Sequence, residues 1–284
     1  MKAAVFDYVK PKALQDALSL LAEAGDDARL IAGGQTLLAT LNMRLSEPSI
    51  LIDITDLAEL KGITLVGDRL RIGALVTHTE IEDSELIAKH APLLKAAAPH
   101  IAHRAIRNLG TWGGSLAYGD PAAEWPACSL TLRATMIIQG PAGERRISAN
   151  DFFIDLYTTS LEPDEILVAT EIPLASSQEV FYFHELARRH GDYAVAGLAA
   201  VAQKQGDVLT KCAFTFFSVS SKPVMATKAQ DLVNGKKLND ELIGKAVAAT
   251  REEIEAIADI TNSAEAKEHL MGVLLERGLK HMLA

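Results

Sequence analysis

The sequence predicts an α+β fold in two parts, residues 1–175 and residues 178–284. Short β-type and helical patterns alternate through the first part, whereas the second part has β-rich runs followed by helical stretches. The chain has 284 residues, of which 49% are apolar and 23% charged. This length and composition are typical of a globular protein with more than one packed unit.

The first part begins with a βαβ-like unit. Leucines recur at helical spacing between Pro11 and Gly25, which predicts a helix over residues 12–24. The β-type segments around this helix are residues 3–6, 29–32 and 50–54. Apolar runs at 63–66 and 69–73 then flank Gly67-Asp68, a typical hairpin signal. We therefore divide the first part into two lobes, about 1–57 and 58–175.

The second lobe is predicted to be helical first and extended later. Residues 77–103 have helical patterns that Pro92 and Pro99 interrupt. A turn at 140–143 follows an apolar stretch, and residues 165–172 are typical of a strand.

The second part follows a linker at residues 174–178. Its predicted strands are residues 180–187, 194–203 and 208–219, and its predicted helices are residues 226–233, 240–258 and 264–282. The pattern therefore indicates a sheet with a cluster of three helices.

The net charge and the cysteine content disfavour several kinds of function and site. A net charge of −9 disfavours nucleic acid as a partner. The two cysteines, Cys128 and Cys212, are far apart, which disfavours a disulfide framework or a cysteine-rich metal site, and the histidines lack metal-ligand spacing. No apolar run is long enough for a membrane span, and Asp7 interrupts any signal-peptide core. We expect a cytoplasmic protein without a metal site of its own.

Two glycine-paired segments are the strongest functional signal. The first bend is Ala32-Gly33-Gly34-Gln35-Thr36, and the second bend is Thr111-Trp112-Gly113-Gly114-Ser115. Glycine pairs let backbone N–H groups turn toward a ligand and let an anion approach the main chain, and each bend ends in a hydroxyl. Together they predict one anion-binding cleft, although either bend alone is as well explained by a tight turn. The dinucleotide and triphosphate loop motifs are both absent, which disfavours a Rossmann domain or a nucleotide triphosphatase.

Six landmarks in order resemble the FAD-binding medium subunit of the molybdenum hydroxylases, the group that includes carbon monoxide dehydrogenase and xanthine dehydrogenase. They are the first bend, residues 44–54, residues 106–115, residues 119–124, residues 162–167 and residues 188–194. The resemblance implies a two-lobed FAD-binding domain of the vanillyl-alcohol oxidase type, followed by a small domain of a three-stranded antiparallel sheet and three helices. It also implies that the two bends wrap the FAD diphosphate.

The resemblance implies further cofactor contacts, each with a structural alternative. Thr77 would lie near the nucleotide half, although it could simply cap the following helix. Asp120 would lie near the ribityl chain or flavin ring, although Asp120-Pro121 is also a turn-initiating pair. Leu161 and Leu167 would add apolar packing and main-chain contacts, but they are core residues first. Tyr193 would lie against the isoalloxazine, or be an ordinary strand aromatic.

Two residues depart from the family pattern. Trp112 stands where a smaller aliphatic residue is usual, and Ser115 stands where Asn or Asp is common. The second bend is therefore expected to hold its ligand with a slightly different shape. The chain also lacks a cysteine-bearing insertion for an iron–sulfur cluster, so FAD is the only redox cofactor expected in it.

By this resemblance the chain is an electron-transfer subunit without catalytic residues of its own. A large subunit would carry molybdopterin and a small subunit would carry two [2Fe-2S] clusters. FAD would pass electrons to an external acceptor, and two such trimers would form a heterohexamer. Two alternatives stay open: a self-sufficient flavoprotein oxidoreductase acting on a small substrate, and a scaffold that has lost its flavin. The hydroxylated substrate could be carbon monoxide, an aldehyde, a purine or another N-heterocycle.

Overall fold

The computed structural model describes residues 2–284. The first lobe consists of β1 (Asp7–Val9), α1 (Leu14–Ala24), β2 (Ala28–Ile31), α2 (Leu37–Asn42) and β3 (Ile50–Asp53). The strands form a parallel sheet in the order β1-β3-β2. The predicted helix is confirmed from Leu14 onward, and Ala17, Leu18 and Leu21 bury its apolar face. The strand predicted at residues 3–6 is wrong, because the pairing with β3 begins at Asp7.

The second lobe contains a longer run of elements. They are β4 (Ile63–Val66), β5 (Arg69–Gly73), α3 (His78–Asp83), α4 (Glu85–His90), α5 (Pro92–Ala97), α6 (Arg104–Arg107), α7 (Trp112–Tyr118), α8 (Glu124–Thr131), β6 (Thr135–Gly140), β7 (Gly143–Ser148), α9 (Ala149–Phe152), β8 (Phe153–Asp155), β9 (Thr158–Thr159) and β10 (Ile166–Pro173). The predicted hairpin at Gly67-Asp68 is confirmed, with Val66 pairing with Arg69. The predicted turn at 140–143 is also confirmed, and it joins two paired strands, with Gly140 opposite Gly143.

Five of these strands form an antiparallel sheet in the order β4-β5-β10-β6-β7. Its two faces enter different cores. On one face, Leu70 and Met136 pack with the helices of this lobe, and Trp112 and Trp125 are fully buried there. On the other face, Ile137 joins the core of the first lobe. The sheet therefore holds the first lobe and the helical layer on opposite sides.

The C-terminal part is a sheet covered by helices. Its elements are β11 (Glu179–Leu186), β12 (Ala196–Gln205), β13 (Val208–Phe217), β14 (Val224–Met225), α10 (Thr227–Val233), α11 (Asp240–Glu253) and α12 (Ala264–Leu283). The predicted three antiparallel strands and three helices are confirmed, with two-residue β14 added at the edge. Helix α11 ends at Glu253 rather than near residue 258.

The C-terminal sheet packs directly on the helical layer of the second lobe. Phe183 and Phe217 belong to the same buried cluster as Trp112. Thr131 on α8 bonds the Thr215 hydroxyl of β13 at 2.8 Å and donates to the Ala199 carbonyl of β12 at 3.2 Å. These bonds hold β12 and β13 against α8.

We propose the unit boundaries 1–57, 58–175 and 178–284. In support, each of the three large sheets lies within one of these ranges. Between residues 2 and 284, the structure contains no helix with the length and apolar character needed to cross a bilayer.

Candidate functional site

The first bend lies at the carboxyl end of β2, immediately before α2. The five consecutive N–H groups of residues 33–37 have no hydrogen-bond acceptor within the described part of the chain. Gly34 has a φ of +70°, a left-handed conformation that favours glycine. The Gln35 side-chain Nε2 donates to the Gly33 carbonyl at 2.9 Å and so holds the bend closed. Such a row of free backbone donors is an anion-binding nest.

The two bends are in contact. A Cβ added to Gly33 would lie 2.0 Å from the Leu109 carbonyl oxygen and 2.8 Å from the Gly110 Cα. A Cβ added to Gly114 would lie 4.0 Å from the Ala32 Cβ. The first bend therefore rests on the backbone that leads into the second, and glycine at residue 33 is required for that approach.

The second bend is a helix start rather than a loop. Thr111 is the N-cap of α7, and its hydroxyl accepts from the Gly114 N–H at 3.1 Å. Three more N–H groups of this bend are also used: that of Trp112 bonds Val76 O at 2.8 Å, that of Gly113 bonds Ala74 O at 2.8 Å, and that of Ser115 bonds Thr111 O at 3.1 Å. The second bend thus offers a ligand a close surface and the Ser115 hydroxyl rather than a row of free N–H groups.

Packing explains the composition of the second bend. A Cβ at Gly113 would lie 2.4 Å from the Ala74 Cβ, so glycine is needed for close packing on the second lobe. The Trp112 side chain points into the core, where its Nε1 donates to the Thr170 hydroxyl at 2.9 Å. Its ring lies 5.2 Å from that of Trp125. The tryptophan that departs from the family pattern at residue 112 is therefore part of the buried core.

Thr77 has the structural role considered for it. It caps α3 in a capping box, in which Glu80 accepts from the Thr77 N–H at 2.7 Å. It also forms an isolated β-bridge with Thr111, which places it next to the second bend. The adjacent His78 accepts from the Trp125 indole at 2.9 Å, and burial, with Arg107 nearby, lowers its pKa to about 4.

The far end of α7 brings Asp120 and Tyr193 together. The helix is seven residues long, so about 10 Å of backbone separates this end from Thr111, the first residue of the second bend. Asp120 is buried and accepts from the Ala122 N–H at 2.9 Å. Burial raises the pKa of Asp120, and the Ala122 N–H and the nearby Tyr193 hydroxyl oppose this shift. Tyr193 itself is 68% exposed, so its ring is available to a ligand.

Leu161 and Leu167 are packing residues in the structure. Leu167 is buried on β10, and Leu161 packs partly buried against the same core. Sequence reasoning missed Glu124, whose pKa burial raises to about 8, with the neighbouring Glu185 and Asp120 adding to the shift. Glu124 is the last residue of the landmark at residues 119–124, so the sequence could have singled it out, but the sequence does not show that it is buried.

The site as a whole is elongated. One end has unpaired backbone donors, and the other, about one short helix away, has a buried carboxyl group near an exposed aromatic ring. On the side of α7 between them, Gly114, Ser115 and Tyr118 are only partly buried. This arrangement suits a ligand with a diphosphate and a distant planar ring, and the residues present therefore fit FAD.

A family model described as the FAD binding domain in molybdopterin dehydrogenase matches residues 4–175. A second, described as the CO dehydrogenase flavoprotein C-terminal domain, matches residues 181–282. The chain belongs to the FAD-binding medium subunits of the molybdenum hydroxylases. It therefore carries an FAD-binding domain and is an oxidoreductase subunit.

Similar proteins span the whole chain. The nicotine 6-hydroxylase medium subunit of Paenarthrobacter nicotinovorans is 38% identical over 98% of this chain and 97% of its own length. A carbon monoxide dehydrogenase from Hydrogenophaga pseudoflava has a solved structure with a TM-score of 0.97 at 33% identity, covering 99% of this chain and 98% of that one. Quinoline 2-oxidoreductase from Pseudomonas putida 86 has a TM-score of 0.94 at 37% identity, covering 100% and 98%.

Proposed function

We propose that this chain is the electron-exit subunit of a molybdenum hydroxylase complex. Electrons from [2Fe-2S] clusters on a small partner subunit would reach an external acceptor through the FAD that this chain holds. A large partner subunit would carry molybdopterin and oxidise the substrate, and two such trimers would form a heterohexamer. Membership in the medium-subunit family supports this assignment.

One structural observation carries the cofactor assignment. The N–H groups of residues 33–37 are unpaired and lie where the first bend touches the second. We infer that these groups bind the diphosphate and that Ser115 and Thr36 add hydroxyl donors. At the other end of α7, Asp120 and Tyr193 would position the flavin. Bound FAD supplies the redox chemistry, and the chain's residues orient it and control access to it.

The test is to purify the chain alone and with its co-expressed partner subunits. We expect a flavin absorption spectrum and release of FAD on denaturation, with about one FAD per chain. A colourless chain that takes up no added FAD would contradict the proposal. The identity of the co-purifying subunits tests the assembly, and substrate-dependent bleaching of the flavin in the complex tests the direction of electron flow.

One observation favours the alternative of a self-sufficient flavoprotein oxidoreductase. Glu124, with its pKa raised to about 8, lies near Asp120 and is the kind of carboxyl group that can exchange a proton near neutral pH. The two functions differ in one measurement. Reduction of the flavin by a small substrate in the isolated chain would favour the alternative, whereas reduction only in the assembled complex supports the electron-exit role.

A further inference from the structure

Three tyrosines from three separate elements lie around Asp120. Tyr118 is the last residue of α7, Tyr157 lies in the turn between β8 and β9, and Tyr193 lies in the loop between β11 and β12. The rings of Tyr118 and Tyr157 are 5.1 Å apart and inclined at 56°. Asp120 lies close enough to all three tyrosines to raise the pKa of each, after the larger effect of burial. All three phenols therefore remain protonated at neutral pH.

The hairpin that carries Tyr157 is anchored at its base. Phe152 and Phe153 are buried in the core, with their rings 5.1 Å apart. Near its tip the hairpin lies on Gly119, where an added Cβ would come within 3.0 Å of the Thr159 methyl group. The hairpin therefore holds a fixed position at the flavin end of α7.

The tip of this hairpin is apolar and exposed, with Leu156 51% and Tyr157 53% accessible. Tyr157 also has a φ of +50°, where glycine or asparagine would be less strained. A large aromatic ring thus occupies a strained turn position without being buried by this chain. Exposed aromatic surface next to a binding site is typical of a surface that a ligand covers.

We propose that Tyr157, supported by Tyr118, is a flavin-contacting residue that forms a second aromatic wall for the isoalloxazine beside Tyr193. This inference depends on the proposed function, since it assumes that FAD occupies the cleft along α7. The ligand class that suits the wall is a planar heteroaromatic ring, which stacks on or packs edge-on against tyrosine. Tyr193 lies near the same carboxyl group, Asp120, as the other two tyrosines.

The test compares FAD binding by the full chain and its variants after removal of bound flavin. Tyr157→Gly deletes the ring and relieves the turn strain, so it separates ligand contact from folding. We expect the Kd for FAD to rise about tenfold, the visible absorption bands of the bound flavin to shift, and the thermal midpoint to stay the same or rise. Tyr157→Phe should restore the Kd to within about twofold of the original.

Ile154→Ala is the matched control, because Ile154 is 50% exposed on the same hairpin but has no ring. It should leave the Kd and the spectrum unchanged. Two results would overturn the inference: a Tyr157→Gly chain with the original Kd and spectrum, or an equal loss of affinity in Ile154→Ala. If the unmodified chain takes up no FAD, the proposed function itself is contradicted. If it binds FAD but the Tyr157 variants behave as above, only the inference about Tyr157 fails.

Discussion

The first and second bends have the same sequence pattern, two glycines followed closely by a hydroxyl residue, yet they have different structural roles. In the first bend, the N–H groups of residues 33–37 are unpaired. In the second bend, residues 112–115 all donate within the chain. Glycine thus exposes donors in one bend and permits tight packing in the other. A glycine pair in a sequence therefore indicates that another group comes close to the backbone at that point. Whether this group is a ligand or another part of the chain is shown by whether the N–H groups already have hydrogen-bond partners within the chain.

The surroundings of each bend explain the difference. The first bend leaves the carboxyl end of β2 in a parallel sheet, the edge at which ligands commonly bind in such sheets. The second bend lies against the backbone of Ala74 and Val76, whose carbonyls take its donors. The following predictions test this contrast, from the largest expected effect to the smallest.

Trp112→Ala should cost about 3–5 kcal/mol of unfolding free energy, because it empties a fully buried site and leaves the Thr170 hydroxyl without its partner. Urea unfolding measures this loss. The milder Trp112→Phe should keep the Kd for FAD within about twofold of the original, because the side chain faces the core. A large loss of FAD affinity in a stably folded Trp112→Phe chain would show that this residue belongs to the cofactor site.

Gly33→Ala should weaken FAD binding by about a hundredfold or more, since the new Cβ overlaps the Leu109 carbonyl and forces the bends apart. Losing one or two charge-assisted hydrogen bonds to a diphosphate has this magnitude. The control is Gly244→Ala on α11, where an added Cβ meets nothing within 4 Å. Stoichiometric FAD in purified Gly33→Ala would show that the contact between the bends is irrelevant to binding.

Acid should destabilise the region around the second bend through His78. Its pKa falls from 6.5 to about 4 in the folded chain, so the unfolded chain binds a proton first as the pH falls. The stability is fully present above pH 6.5 and decreases toward pH 4, by about 3 kcal/mol in total. Urea unfolding of His78→Gln across this range should show a shallower pH dependence, whereas exposed His269→Gln should match the original chain. Parallel curves for all three would contradict the assignment.

Removal of a single threonine hydroxyl from either bend should give the smallest effects. Thr111→Ala removes a helix cap and should cost about 1 kcal/mol of stability. Thr36 is exposed, and within residues 2–284 its hydroxyl has no hydrogen-bond partner. Thr36→Ala should therefore leave stability unchanged and weaken FAD binding severalfold. Calorimetry measures the stability of each variant, and titration with FAD measures its Kd. A loss of stability in Thr36→Ala together with a loss of FAD affinity alone in Thr111→Ala would contradict the roles assigned to the two bends.

Periodic elements were predictable from the sequence because their burial follows from spacing. The leucines of α1 and the hairpin turn at Gly67-Asp68 are local signals, and both were confirmed. Helix α7 was not predicted, since Gly113 and Gly114 have low helix propensity. Backbone contacts from a distant segment stabilise its first turn, and no local pattern encodes them.

The site residues divide in the same way. The first bend could be found from its glycines, and the structure leaves its donors free. The core position of Trp112 and the raised pKa of Glu124 depend on which elements pack over them, which the sequence alone does not specify. Tyr157 was missed because a two-stranded hairpin with a two-residue tip has almost no periodic signal.

Hydrogen exchange with and without FAD tests the central contrast most directly. In the flavin-free chain, the amides of residues 33–37 should exchange quickly and those of residues 112–115 slowly, because only the latter are hydrogen-bonded. Adding FAD should strongly slow exchange at 33–37 and change it little at 112–115. Unchanged exchange at 33–37 in a chain that has bound FAD would contradict the account.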